Sequence, residues 1–187
     1  GGMIGYADCN AYLENVSIAR GEIKASFTNN YPNDRSVGGF IGFVSGSTTE
    51  EKPAETNVEQ KVAVSKAVIS ENLKVEAEEG NNYSMNLEGG VGGVIGYGGA
   101  SVAIDGVTST GCITVSALGE RAGGVLGAAK NAVSIKNVKC EGPLTVSGRK
   151  EVGGLTGGNA NKEIKIANAA LLSDALIVSS EGDAGGV

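Results

Sequence analysis

Gly92-Gly93-Val94-Ile95-Gly96 decides the reading, because near-copies of it run the length of the chain. They are Gly1-Gly2-Met3-Ile4-Gly5, Gly38-Gly39-Phe40-Ile41-Gly42, Gly123-Gly124-Val125-Leu126-Gly127 and Gly153-Gly154-Leu155-Thr156-Gly157, and a sixth begins at Gly185-Gly186-Val187. The glycine pairs start at 1, 38, 92, 123, 153 and 185, so the gaps are 37, 54, 31, 30 and 32 residues. A fixed period of this size is the signature of a repeat architecture.

Each gap carries a second pattern. In the third unit it is Val102, Ile104, Val107, Ile113 and Val115; in the fourth, Val133, Ile135, Val138, Leu144 and Val146. The fifth gives Ile164, Ile166, Ala169, Leu176 and Val178, with one extra residue in the middle turn. The first, weaker, reads Ala11, Leu13, Val16, Ile23 and Ala25. The 54-residue unit fits through Val62, Val64, Ala67, Leu73 and Val75 once insertions at 46–60 and 76–90 are set aside.

Apolar alternation at period two marks strands. Strands this short bury their apolar faces only when units stack like residue over like. The expected fold is therefore all-β: a right-handed parallel β-helix with three short strands and about 30 residues per coil, the hand following from crossover chirality. Five complete coils and the start of a sixth are expected over 1–187, and at about 4.8 Å per strand five coils span about 24 Å. The glycines are expected at coil corners, for positive φ and close backbone approach. Pro32, Pro53 and Pro143 all fall outside the strand segments, where a missing N–H does no harm.

Composition agrees. The chain has 31 glycines in 187 residues but three prolines and no Gly-X-Y period, and its 41% hydrophobic content argues against disorder. A net charge of −6 and no basic stripe argue against nucleic-acid binding. Nine acidic against four basic residues between Glu50 and Glu88 carry most of that charge. No apolar run is long enough to span a membrane. With no signal peptide and no Met at residue 1, the chain is expected to be a piece of a longer protein.

These repeats, with Asn137-Val138 and then Leu144-x-Val146 after the glycine motif, resemble the GLUG-type Gly-Gly-hydrophobic repeats of bacterial surface and secreted β-helix proteins. The resemblance covers the chain apart from the two insertions; the polar Thr156 and the long second unit depart from it. It implies an extracellular or cell-surface location, in adhesins or in non-catalytic parts of secreted proteases.

Chemistry-bearing patterns are sparse. There is no histidine, which removes the commonest general base and metal ligand. Arg20, Arg35, Arg121 and Arg149 fall at different repeat positions, so no catalytic set assembles and no enzyme, cofactor or metal site is expected. The motif is not a phosphate loop, lacking the following Lys-Ser/Thr and helix. It also lacks the Asp of calcium-binding nonapeptide repeats.

The candidate partner-binding residues are Tyr6, Phe43 and Tyr97, with Glu50, Glu51, Glu78 and Glu79. The aromatics follow the second of two adjacent apolar columns, so they either form an outward apolar stripe or are turned inward at a corner. If outward, the insertions or a partner would cover them. The glutamates lie in the insertions, where recognition sits on rigid scaffolds and where solvated charge is the plainer reading.

Asn15, Asn137 and Asn168 share a position with Lys66 and Gly106. They either stack as an amide ladder or simply tolerate a turn conformation. Cys140 should lie over Ser109, three residues before Cys112, an offset longer than a disulfide spans unless the turns close it; a Cys112–Cys140 bridge is the alternative, and buried or unpaired thiols are the default. Asn15-Val16-Ser17 and Asn82-Tyr83-Ser84 match the glycosylation pattern. The function expected is a rigid structural or adhesive segment contacting a glycan or surface protein. A carbohydrate-active β-helix enzyme and a fibre module binding copies of itself are the alternatives.

Overall fold

The computed structural model describes residues 1–27, 36–45, 61–79, 89–118, 121–159 and 162–186, and its described elements are all strands. In chain order the first set is β1 (Ile4–Ala7), β2 (Ala11–Glu14), β3 (Ser17–Ile18) and β4 (Gly21–Phe27). The second is β5 (Val37–Gly38), β6 (Ile41–Val44), β7 (Lys61–Ile69) and β8 (Leu73–Glu79). The third is β9 (Val91–Gly92), β10 (Ile95–Gly98), β11 (Ser101–Ser109) and β12 (Ile113–Ala117). Then come β13 (Arg121–Gly123), β14 (Leu126–Ala129), β15 (Val133–Cys140) and β16 (Leu144–Ser147). The last are β17 (Glu151–Gly153), β18 (Thr156–Asn159), β19 (Ile164–Leu171), β20 (Leu176–Ser179) and β21 (Asp183–Gly185).

Corresponding strands of successive sets pair in parallel and build four sheets. Sheet A runs β1-β6-β10-β14-β18 and sheet C runs β20-β16-β12-β8-β4. Sheet B runs β19-β15-β11-β7-β2 with β3 also on β7, and sheet D runs β21-β17-β13-β9-β5. This is a parallel β-solenoid, and like residues do lie over like. Ile95 has Ile41 and Leu126 as partners, and Ile104 has Val64 and Ile135.

The structure corrects the expectation of three strands per coil to four, because the glycine segment is two strands rather than one. The break lies at Gly93-Val94, between β9 and β10 in the motif of the third set. Its cause is visible in the hydrogen bonds. Val94 and Ile95, adjacent in sequence, both donate their N–H to the Val125 carbonyl, at 2.9 and 3.0 Å. Successive N–H groups of a regular strand point to opposite sides, so two bonds to one oxygen require the chain to turn. The same doubled bond recurs from Phe40 and Ile41 to Val94, and from Val125 and Leu126 to Leu155.

That corner resolves the two adjacent apolar columns. Phe40, Val94, Val125 and Leu155 are fully buried, and so are Ile41, Ile95 and Leu126, all in one core with the inward residues of sheets B and C. Both columns turn inward. In the next copy Thr156 takes the place of Leu126, and its Oγ1 is buried with no hydrogen-bond partner.

The motif glycines serve close approach. Among the described glycines only Gly106 has a positive φ, at 74°, so the left-handed role expected of the corner glycines is not theirs. A Cβ on Gly127 would stand 2.5 Å from both the Gly96 carbonyl oxygen and the Val91 nitrogen, and 2.7 Å from the Gly90 carbonyl carbon. One on Gly96 would meet the Val37 carbonyl at 2.7 Å, and one on Gly157 the Ala122 oxygen at 2.7 Å. Sheets A and D thus touch backbone to backbone, far closer than the about 10 Å of side-chain-bearing layers.

Left-handed backbone appears instead in the middle of sheet B. Asn15, Lys66, Asn137 and Asn168 have φ of 53°, 51°, 52° and 53°, in the column shared with Gly106. One such residue per strand places two outward residues in succession and bends the strand around the core. For Asn137 and Asn168 both readings of this column hold, and for Asn15 the left-handed backbone is what the structure shows. Asn168 Nδ2 donates to Asn137 Oδ1 at 3.1 Å, and Asn137 Nδ2 donates to Asp105 Oδ1 at 2.7 Å past the side-chain-free Gly106. Lys66 has neither the short amide nor the glycine tolerance, and its Nζ instead pairs with Glu14 at 2.8 Å. Lys66→Asn is expected to raise the melting temperature by about 2–4 °C, since an exposed ion pair returns little. A lower melting temperature would show that the pair outweighs the backbone strain.

The weak first set corrects one register. The sequence aligns Ile23 with Leu73, whereas the structure pairs Gly21 with Leu73, Ile23 with Val75 and Ala25 with Ala77. The turn between β3 and β4 is one residue shorter than that between β7 and β8. In the last set the inward residues are less covered: Ile164, Ile166 and Leu176 are 40%, 37% and 40% exposed, against 0–3% for Val133, Ile135 and Leu144.

Candidate functional site

Sheet A carries the aromatic column, because Tyr6, Phe43 and Tyr97 are in-register partners on β1, β6 and β10. Parallel pairing puts identical positions one strand spacing apart, so the rings stack along the axis. Tyr6 and Phe43 have centroids 5.4 Å apart and planes within 3°; Phe43 and Tyr97 are 5.1 Å apart at 19°. The column continues through Ala128 to Gly158.

The candidates separate by burial. Phe43 and Tyr97 are 6% and 2% exposed and form a small second core with Ala128, so they are corrected from contact residues to packing residues. Tyr6 is 55% exposed and is the one ring of the stack open to a partner. Whether the insertions cover this wall lies outside the described residues.

Size alternates between this column and sheet D opposite it. The Cα of Gly90 approaches the Ala128 nitrogen, where a Cβ would stand only 2.7 Å away. Beside Gly158 the Arg121 and Glu151 side chains fill the space that a side chain there would take. Those two belong to β13 and β17 and pair Nε to Oε2 at 2.7 Å, half-sheltered from solvent. Rings in the first three sets thus give way to an ion pair in the last two.

The acidic candidates divide differently. Glu50 and Glu51 lie outside the described residues. Glu78 does not sit in a loop: β8 continues through Glu76 and Glu78 to Glu79, pairing β4 as far as Phe27. The second insertion therefore starts after Glu79 rather than at Glu76. The reason is continued alternation, with Val75 and Ala77 inward and Glu76 and Glu78 outward. Glu78 is held by Lys24 at 2.6 Å, and across the same face Lys74 lies 2.9 Å from Glu76 and 3.3 Å from Glu22. Of Glu79, the strand position opposite Phe27 is described.

Further along sheet C the outward positions become hydroxyls. Thr114 lies over Thr145, and Ser116 over Ser147 over Ser179. Ser147 Oγ is 3.2 Å from Ser116 Oγ.

The cysteines stand as the default reading has them: Cys9 exposed, Cys112 half-buried and Cys140 buried, all free. Cys140 does lie over Ser109, whose Oγ donates to the Gly111 carbonyl at 3.0 Å. Burial pushes the Cys140 thiol up to about 11 from 9.0. A raised folded-state value means that the protonated thiol favours the fold. That contribution is complete below pH about 9 and is lost as the pH rises to about 11. A stability profile should fall across this window in the parent and stay flatter in Cys140→Ala. At pH 8 a thiol reagent should label Cys9 at once and Cys140 only on unfolding; fast native labelling of Cys140 would contradict its burial.

Asn15 of the first glycosylation pattern is exposed at its left-handed bend, while Asn82 lies outside the described residues. Among the described residues no three of His, Cys, Asp and Glu gather as metal ligands. No helix among them is long and apolar enough to cross a membrane. A scan against protein-family models finds no match, and comparisons with curated proteins and with solved structures find none either.

Proposed function

We propose that this chain is a non-catalytic structural and adhesive segment of an extracellular surface protein, a stiff rod that presents loops or a side wall to a glycan or protein. The carrying observation is the unbroken register. Four sheets stack set upon set, and their inward apolar residues form one continuous core. Such a stack resists bending, because any coil that tilts loses backbone hydrogen bonds in all four walls at once.

The resemblance of its glycine motifs to GLUG-type repeats supports the surface location. Segments 46–60 and 80–88 join β6 to β7 and β8 to β9, so whatever they recognise would be held on a rigid frame. The exposed ring of Tyr6 is the side-wall candidate, since a flat aromatic face takes a sugar ring or an apolar side chain.

Binding of the whole chain to an array of glycans and matrix proteins tests this reading. Alanine substitutions in 46–60 and 80–88 should weaken the captured ligand at least tenfold while leaving the unfolding temperature within about 2 °C. Full binding after both segments are shortened would remove the loops from the account. Loss only in Tyr6→Ala would move recognition to the side wall. No binding in any arm would leave the adhesive half of the proposal refuted.

A further inference from the structure

We draw no further inference here: the strongest candidate, the half-exposed inward apolar face of β19 and β20 formed by Ile164, Ile166 and Leu176, carries nothing because nothing in the structure shows what covers it.

Discussion

Gly127→Ala should unfold this protein, or cost it about 3 kcal/mol or more, while Gly5→Ala should leave it intact. The two glycines hold the same place in their copies of the motif, so sequence alone treats them alike. Around Gly127 the added Cβ would meet backbone on two sides, the Gly96 carbonyl oxygen at 2.5 Å and the Gly90–Val91 peptide bond at 2.5 and 2.7 Å. None of those atoms is the end of a flexible side chain. Sheets A and D would have to separate, and each is hydrogen-bonded through the stack. Overpacking costs of about 1–3 kcal/mol assume side chains that can move aside; here none can. Around Gly5 a Cβ meets nothing within 4 Å. Alanine there restricts the unfolded chain at no steric cost and is expected to change stability by less than about 1 kcal/mol, in the favourable direction. Urea unfolding of both variants checks the pair. Equal losses would mean that the motif glycines are needed for their conformation rather than for the space above them.

The second large effect is expected at the aromatic stack. Tyr97→Ala should destabilise by about 3–5 kcal/mol, since the ring is 2% exposed and stacked on Phe43. Tyr6→Ala removes a ring of the same column that is 55% exposed, and should cost no more than about 1 kcal/mol. The contrast separates packing from recognition. A large stability loss in Tyr6→Ala would place that ring in the core, and its use as a contact surface would lapse.

Much of the architecture was legible because side-chain columns repeat. The spacing Val102, Ile104, Val107, Ile113, Val115 recurs with its partners in register, and even the extra residue before Leu176 falls in the turn where the spacing puts it. The shared column of Asn15, Asn137 and Asn168 was also readable, since Asn is the commonest non-glycine residue to accept left-handed backbone. What the alternation could not show was the division of the glycine segment into two strands. Strands of two or three residues such as β5, β9 and β13 are too short to display a period, and glycine has no side chain to reveal a face.

The candidate site was less legible for a related reason. That Tyr6, Phe43 and Tyr97 form one column follows from the repeat. Their burial depends on what packs across from them, which a single strand's sequence does not contain. Further along the same column, the residues beside Ala128 and Gly158 are Gly90, just before β9, and Arg121 and Glu151 on β13 and β17, all on the wall that strand alternation does not reveal. The first set shows the same limit: Gly21 fills the column of Leu73 without any apolar signal, and the alignment slid to Ile23 instead. Glu78 reads as a loop residue in the sequence because outward charges on a strand and charges in a loop look alike until the partner Lys24 is in place.

Successive units lie directly over one another as in-register parallel strands. Nuclear Overhauser contacts between backbone protons of the labelled protein test it most directly. Sequential ladders of parallel-strand contacts should join Ile95 to both Ile41 and Leu126, and Ile104 to both Val64 and Ile135. Strong Hα–Hα contacts of antiparallel pairs along these segments, or no contact between Ile41 and Ile95, would contradict it.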